Sequence, residues 1–128
     1  MIKKIVVTLL LCSAAALMLV ACGGSSGGGS GSPTAHMGNT NFMQPSITIS
    51  KGSSLTLVDD VAVTHIISNG SWVNGTAKPA KEPGAPTVSN LQFTTAGQSQ
   101  TIGPFSTAGT FHLYCSVHVN MNLTVIVQ

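Results

Sequence analysis

The sequence predicts an all-β domain, a small antiparallel sandwich or barrel of about eight short strands, set behind an export segment and a flexible linker. Three observations carry the prediction. From about His36 to Gln128 apolar residues alternate with polar ones over short runs, and turn-forming residues separate the runs. No stretch of that region competes with a helical period. The chain has 128 residues, 43% hydrophobic and 6% charged, which gives room for one such domain and not two.

The elements follow in chain order. Residues 1–21 read as an export signal: Lys3 and Lys4, an apolar run from Ile5 to Val20, then small residues. The run is too short, and too closely followed by glycine, for a transmembrane span. Leu19, Val20, Ala21 and Cys22 resemble the bacterial lipobox, which implies that Cys22 is acylated and becomes the mature N-terminus. Residues 22–35 then comprise the lipidated cysteine and a tether. Its core, "GGSSGGGSGS" from Gly23 to Ser32, has nothing to bury and reaches roughly 17 Å as a flexible coil. The expectation is an exported lipoprotein, anchored to a membrane and facing the periplasm or the cell exterior.

Residues 36–128 form the folded domain. An opening strand is expected near Met37 to Met43, followed by "SITIS" with Ile47 and Ile49 and by "SLTLV" with Leu55 and Leu57. "VAVTHII" places Val61, Val63, His65 and Ile67 on one face. Proline and glycine crowd the stretch from Gly70 to Asn90, which reads as one long irregular excursion with Trp72 packing it onto the sandwich. Further strands carry Leu91 and Phe93, then residues around Gln100 to Gly103, then Phe111, Leu113 and Cys115, and last Leu123, Val125 and Val127. The alternation sets His65 and Cys115 on core-directed faces near strand ends. It turns His112 and Tyr114 outward.

Charge narrows the partners. Without the signal, Lys51, Lys78 and Lys81 balance Asp59, Asp60 and Glu82, 3 − 3 = 0, and there is no arginine. Such a surface cannot follow a phosphate backbone, so nucleic acid is excluded as a partner. Cysteine is equally sparse. Cys12 leaves with the signal and Cys22 carries lipid, so Cys115 is the only thiol of the folded domain and has no disulfide partner in an oxidising compartment.

That thiol lies in "YCSVHVNM", residues 114–121, where Cys115, His118 and Met121 follow at intervals of three. Alone, a cysteine on an apolar strand is a small buried hydrophobe and His65 a core histidine. Together they suit copper: thiolate and imidazoles bind it, and a thioether adds a weak axial contact, the donor set of electron-transfer copper sites. Cys115 ends a strand, and His118 and Met121 lie on the turn into the last strand. His65 is the best candidate for the fourth donor.

On "GTFHLYCSVHVNM" before a final apolar strand, on the histidine after "VAVT", and on the all-β layout, residues 36–128 resemble the cupredoxins, the small blue copper proteins. The resemblance implies a Greek-key β-sandwich and one type 1 copper cycling between Cu(I) and Cu(II). It further implies His65 and His118 as imidazole ligands, Cys115 as thiolate and Met121 as axial thioether. Two residues on each side of His118 match the amicyanin spacing most closely. The chain departs from plastocyanin-like relatives in having Ile66, where an asparagine follows the histidine, and Val117 and Val119 in place of loop prolines. These contacts orient ligands, so the departures leave the reduction potential open.

The function expected is a membrane-tethered, monomeric carrier of single electrons that serves redox proteins as donor and acceptor and performs no bond chemistry. His118 is its electron port and Tyr114 a second route, and docking rests on an apolar patch because so few charges are available. The alternative is extracytoplasmic copper trafficking or storage on the same ligands, which predicts exchangeable Cu(I) without an intense blue colour. A third reading, an adhesive sandwich without metal, predicts no copper uptake. His36 and His112 are expected at the surface and do not build a second copper centre. Met37 and Met43 read as first-strand packing. The sequons at Asn69, Asn74 and Asn122 receive no role.

Overall fold

The computed structural model describes residues 31–128. The export signal, Cys22 and the tether as far as residue 30 lie outside the described residues. Nine strands make two sheets: β1 (Thr34–Met37), β2 (Ser46–Ile49), β3 (Leu55–Asp59), β4 (His65–Val73), β5 (Thr76–Pro79), β6 (Leu91–Phe93), β7 (Ser99–Ile102), β8 (Gly109–Cys115) and β9 (Asn122–Val127). One sheet has the order β1-β3-β7; the other runs β2-β9-β8-β4-β5, with β6 also paired to β4.

Period-two burial builds the core between them. Leu55 and Leu57 on β3, Phe111, Leu113 and Cys115 on β8, and Leu123, Val125 and Val127 on β9 all point inward and are buried. Ala35 and Met37 of β1 are fully buried as well, so the fold begins two residues inside the segment assigned to the tether. Two pairings are parallel, β1 with β3 and β2 with β9. A purely antiparallel sheet is therefore too simple, because the first two strands reach the sheets through long connections rather than hairpins.

Several local expectations change. The opening strand stops at Met37. Gly38 N–H donates to Asn41 C=O at 2.9 Å, and Met43 N–H returns to His36 C=O at 2.8 Å, so the chain folds back and leaves Met43 60% exposed instead of packed. Val61 and Val63 lie in bends and are only half-buried; the strand starts at His65 and runs forward from it. The supposed excursion is therefore half a hairpin. β4 continues to Val73 and turns through Asn74 (φ 50°) and Gly75 (φ 74°), the backbone of an Asn-Gly type I′ turn, before returning as β5. Gly70 (φ 129°) permits the bend, since a Cβ there would strike the Lys78 carbonyl.

The rest of the excursion is pinned by Asn69. Its side chain accepts from Val88 N–H at 2.7 Å and donates to Pro86 C=O at 3.2 Å, while Ala85 and Val88 are buried against the core. These bonds hold an irregular segment over the sheet without strand pairing.

Candidate metal centre

Antiparallel pairing of β4 with β8 sets Ile67 opposite Cys115. His65, two residues before Ile67, shares its face, so the first residue of β4 and the last of β8 meet at one end of the sandwich. Both are fully buried. The loop after Cys115 then turns back. Met121 N–H donates to His118 C=O at 3.2 Å, Cys115 N–H donates to Met121 C=O at 3.0 Å, and Asn120 takes φ 63° at the turn. Ser116 N–H fixes the loop to Ile66 C=O at 2.8 Å.

This folding brings three donors together. The Cys115 Sγ lies 3.5 Å from His118 Nδ1 and 3.9 Å from His65 Nδ1, and the two imidazole rings have centroids 4.9 Å apart. One ligand atom from each residue falls within 4.8 Å of the others. Nitrogen and sulfur donors each about 2.0–2.3 Å from one ion are at most about 4.4 Å apart, so both sulfur–nitrogen distances are compatible with a shared ion. Burial holds the His65 ring below its ordinary pKa of 6.5, and nearby His118 acts in the same direction, while Asp59 opposes them; the net effect favours the neutral imidazole that a metal requires. Met121 is buried beside these residues through the two backbone bonds. Cys115 is a free cysteine.

The other residues singled out in the sequence lie elsewhere. His36 Nδ1 pairs with Asp60 at 2.8 Å at the surface, and half-exposed His112 Nδ1 pairs with Glu82 at 2.6 Å. Tyr114 does not face solvent as expected. It lies on the face opposite Cys115, but the forward extension of β4 covers it: Trp72 meets its ring edge-on at 6.1 Å, and Tyr114 is buried.

Three residues near the site were not assigned to it in the sequence. Trp72 donates its indole N–H to the Cys115 carbonyl at 2.8 Å. Asn122 grips the Trp72 backbone from both sides, accepting from its N–H at 2.7 Å and donating to its C=O at 3.0 Å. Asp59, fully buried, places Oδ1 3.7 Å from His65 Nε2. The Asn-Gly dipeptide could have revealed the hairpin that carries Trp72, and the alternation of Leu55 and Leu57 extends without a break to Asp59.

Neither a protein-family model nor a curated protein matches the sequence. Solved structures do match in fold. Amicyanin from Paracoccus versutus (Thiobacillus versutus) is 18% identical, with a TM-score of 0.59 over 78% of this chain and 84% of that one. An oxidised proline-to-glycine variant of amicyanin is 18% identical with a TM-score of 0.57, covering 80% of this chain and 88% of its own. A methionine-to-alanine variant described in its Cu(I) form is 15% identical, with a TM-score of 0.54 over 78% and 85%. The domain therefore has the cupredoxin fold, an all-β arrangement with His65, Cys115 and His118 gathered at one end.

Proposed function

We propose that this chain, which has the fold of amicyanin, is an exported blue copper protein that carries single electrons at a type 1 site. The observation that supports it most is the convergence of one buried thiol and two imidazole nitrogens within 4.8 Å of one another. His65, Cys115 and His118 would hold the metal in this reading, with Met121 as the axial thioether. Copper, when bound, supplies a one-electron Cu(II)/Cu(I) couple.

The chain's own residues do the rest. Cys115 and His65 belong to hydrogen-bonded neighbouring strands, so their donors are held in place in either oxidation state. Core packing around Cys115 excludes water. His118, half-buried on its loop, reaches the surface between Val117 (48% exposed) and Val119 (61% exposed). That apolar rim is where a redox partner would dock, with His118 as the electron port. Tyr114 is covered, so any second path leaves the Cys115 carbonyl through the indole of half-buried Trp72. Cys22, as an acylated N-terminus, would tether this carrier to a membrane, and the domain works as a monomer without bond chemistry.

A visible spectrum of the copper-loaded domain tests the proposal. An intense blue band that vanishes on reduction is expected, and Cys115→Ser should abolish it while far-UV circular dichroism remains that of a β domain. Exchangeable Cu(I) binding without the band would favour trafficking or storage instead.

A further inference from the structure

Building on that copper reading, we propose that Asp59 is a positioning residue of the metal centre, a buried carboxylate that accepts the Nε2 proton of His65 and favours the oxidised metal. It occupies a core position: Leu55, Leu57 and Asp59 follow one another on the inner face of β3, each with 0% exposure. Burying a carboxylate there is costly unless a positive charge or hydrogen-bond donors accompany it.

The surroundings supply few. Val61 N–H donates to Oδ1 at 3.2 Å, and Oδ2 has no partner. Among the described residues the one ion-pair partner is His65, whose Nε2 is buried without a well-formed hydrogen bond and whose ring also feels the Gly38 backbone as an acceptor. His65 Nε2 thus faces the carboxylate 3.7 Å from Oδ1, the oxygen that also accepts from Val61 N–H, while Oδ2 of the same group stays unpartnered. The backbone does not let Asp59 swing away, since its N–H donates to Gln98 C=O at 2.8 Å and its C=O accepts from Gly97 N–H at 2.6 Å.

The imidazole has the matching polarity. His65 Nδ1 faces the Cys115 sulfur, so a ring that gives Nδ1 to a metal carries its proton on Nε2, on the side of Asp59. A carboxylate that accepts this proton fixes ring and tautomer and makes the ligand more basic. Charge sets the direction of the effect. The Cys115 thiolate and the Asp59 carboxylate together balance a dication, whereas a monocation leaves one negative charge in excess. Asp59 therefore lowers the reduction potential.

The reduction potential of copper-loaded Asp59→Asn, against the parent, tests this. The variant keeps the shape of the side chain and an acceptor for Val61. Its ratio of Cu(I) to Cu(II) affinity should rise at least tenfold, a positive shift of about 59 mV or more, while the metal-free variant is at least as stable to urea as the parent. A ratio within threefold of the parent's overturns the role. So does a loss of metal-free stability with the potential unchanged, which would make Asp59 a structural acceptor only. Proton NMR of the unsubstituted Cu(I) protein gives a reading that does not depend on the variant folding: a slowly exchanging, strongly downfield His65 Nε2–H is expected, and its absence overturns the proposal. A parent that takes up no copper removes the proposed function, and this role with it; a blue parent with an indifferent variant removes only this role.

Discussion

At the scale of the residue, the candidate site contrasts two side chains fixed by strands with two, His118 and Met121, carried on a loop. Cys115 and His65 are held by β8 and β4, whereas Met121 is placed by the short turn that its own backbone closes. If it is the weak axial donor, Met121→Leu should keep copper and colour but raise the potential, because losing an axial donor disfavours Cu(II) more than Cu(I). Voltammetry alongside the visible spectrum checks this; loss of copper as complete as in Cys115→Ser would make Met121 an essential ligand. The closeness of Cys115, His118 and Met121 was legible because side chains at and just beyond a strand end stay near one another in any fold that closes the turn between them. His65 was legible through period two, although it opens its strand rather than following one. Asp59 was not, since a carboxylate at the end of an apolar alternation reads as the first residue of a turn. Only the fold shows it to be core, with Oδ1 3.7 Å from His65 Nε2.

At the scale of the element, the β4–β5 hairpin changes what the surface near the thiolate presents. Asn74 and Gly75 supply the turn, Trp72 rides on it, and Asn122 clamps it to the start of β9. Trp72→Phe keeps the ring but loses the donor to Cys115 C=O. Leaving that carbonyl short of a partner should cost about 1–3 kcal/mol, read as a lower urea midpoint of the metal-free domain, with the blue band retained. An unchanged midpoint would mean that the indole bond does not brace the site. The sequence pattern concealed this element because proline and glycine in residues 70–90 resemble an irregular loop, and long-range clamps from Asn69 and Asn122 do not register in local patterning.

The neighbouring pair Glu82 and His112 adds a pH dependence. Burial pushes the Glu82 carboxyl up, but the hydrogen bond from His112, helped by backbone bonds and the attraction of the ring, outweighs it and holds the group below its ordinary 4.5. A carboxyl lowered on folding stabilises the fold fully above its unfolded value; that share is lost as pH falls below about 4.5 and through the folded value. Urea midpoints across this window should therefore fall less steeply for Glu82→Gln than for the parent. Equal slopes would show that the pair contributes nothing to acid stability.

At the scale of the whole molecule, the proposed anchor and the folded domain should be separable. The glycine-serine tract joins Cys22 to a domain whose first strand begins at Thr34, so Cys22→Ala should release the protein from the membrane fraction or leave its signal unprocessed. Copper uptake by the domain should be unaffected, and continued lipid labelling of the variant would remove the lipobox reading. The all-β class was legible from alternation alone, but the parallel joins of β1 with β3 and β2 with β9 were not. Register between strands far apart in the chain is set by three-dimensional packing rather than local pattern.

The join of β2 to β9 also governs timing. Among the described residues Ser46–Ile49 pairs with Asn122–Val127 alone, and Cys115 lies fifty positions beyond His65. Contacts this distant in sequence make folding slow, on the order of milliseconds to seconds, because each long loop must close before it is rewarded. A growing chain holds His65 long before its thiol partner exists. The meeting of His65 with Cys115 therefore cannot form until the chain has been made as far as the end of β8.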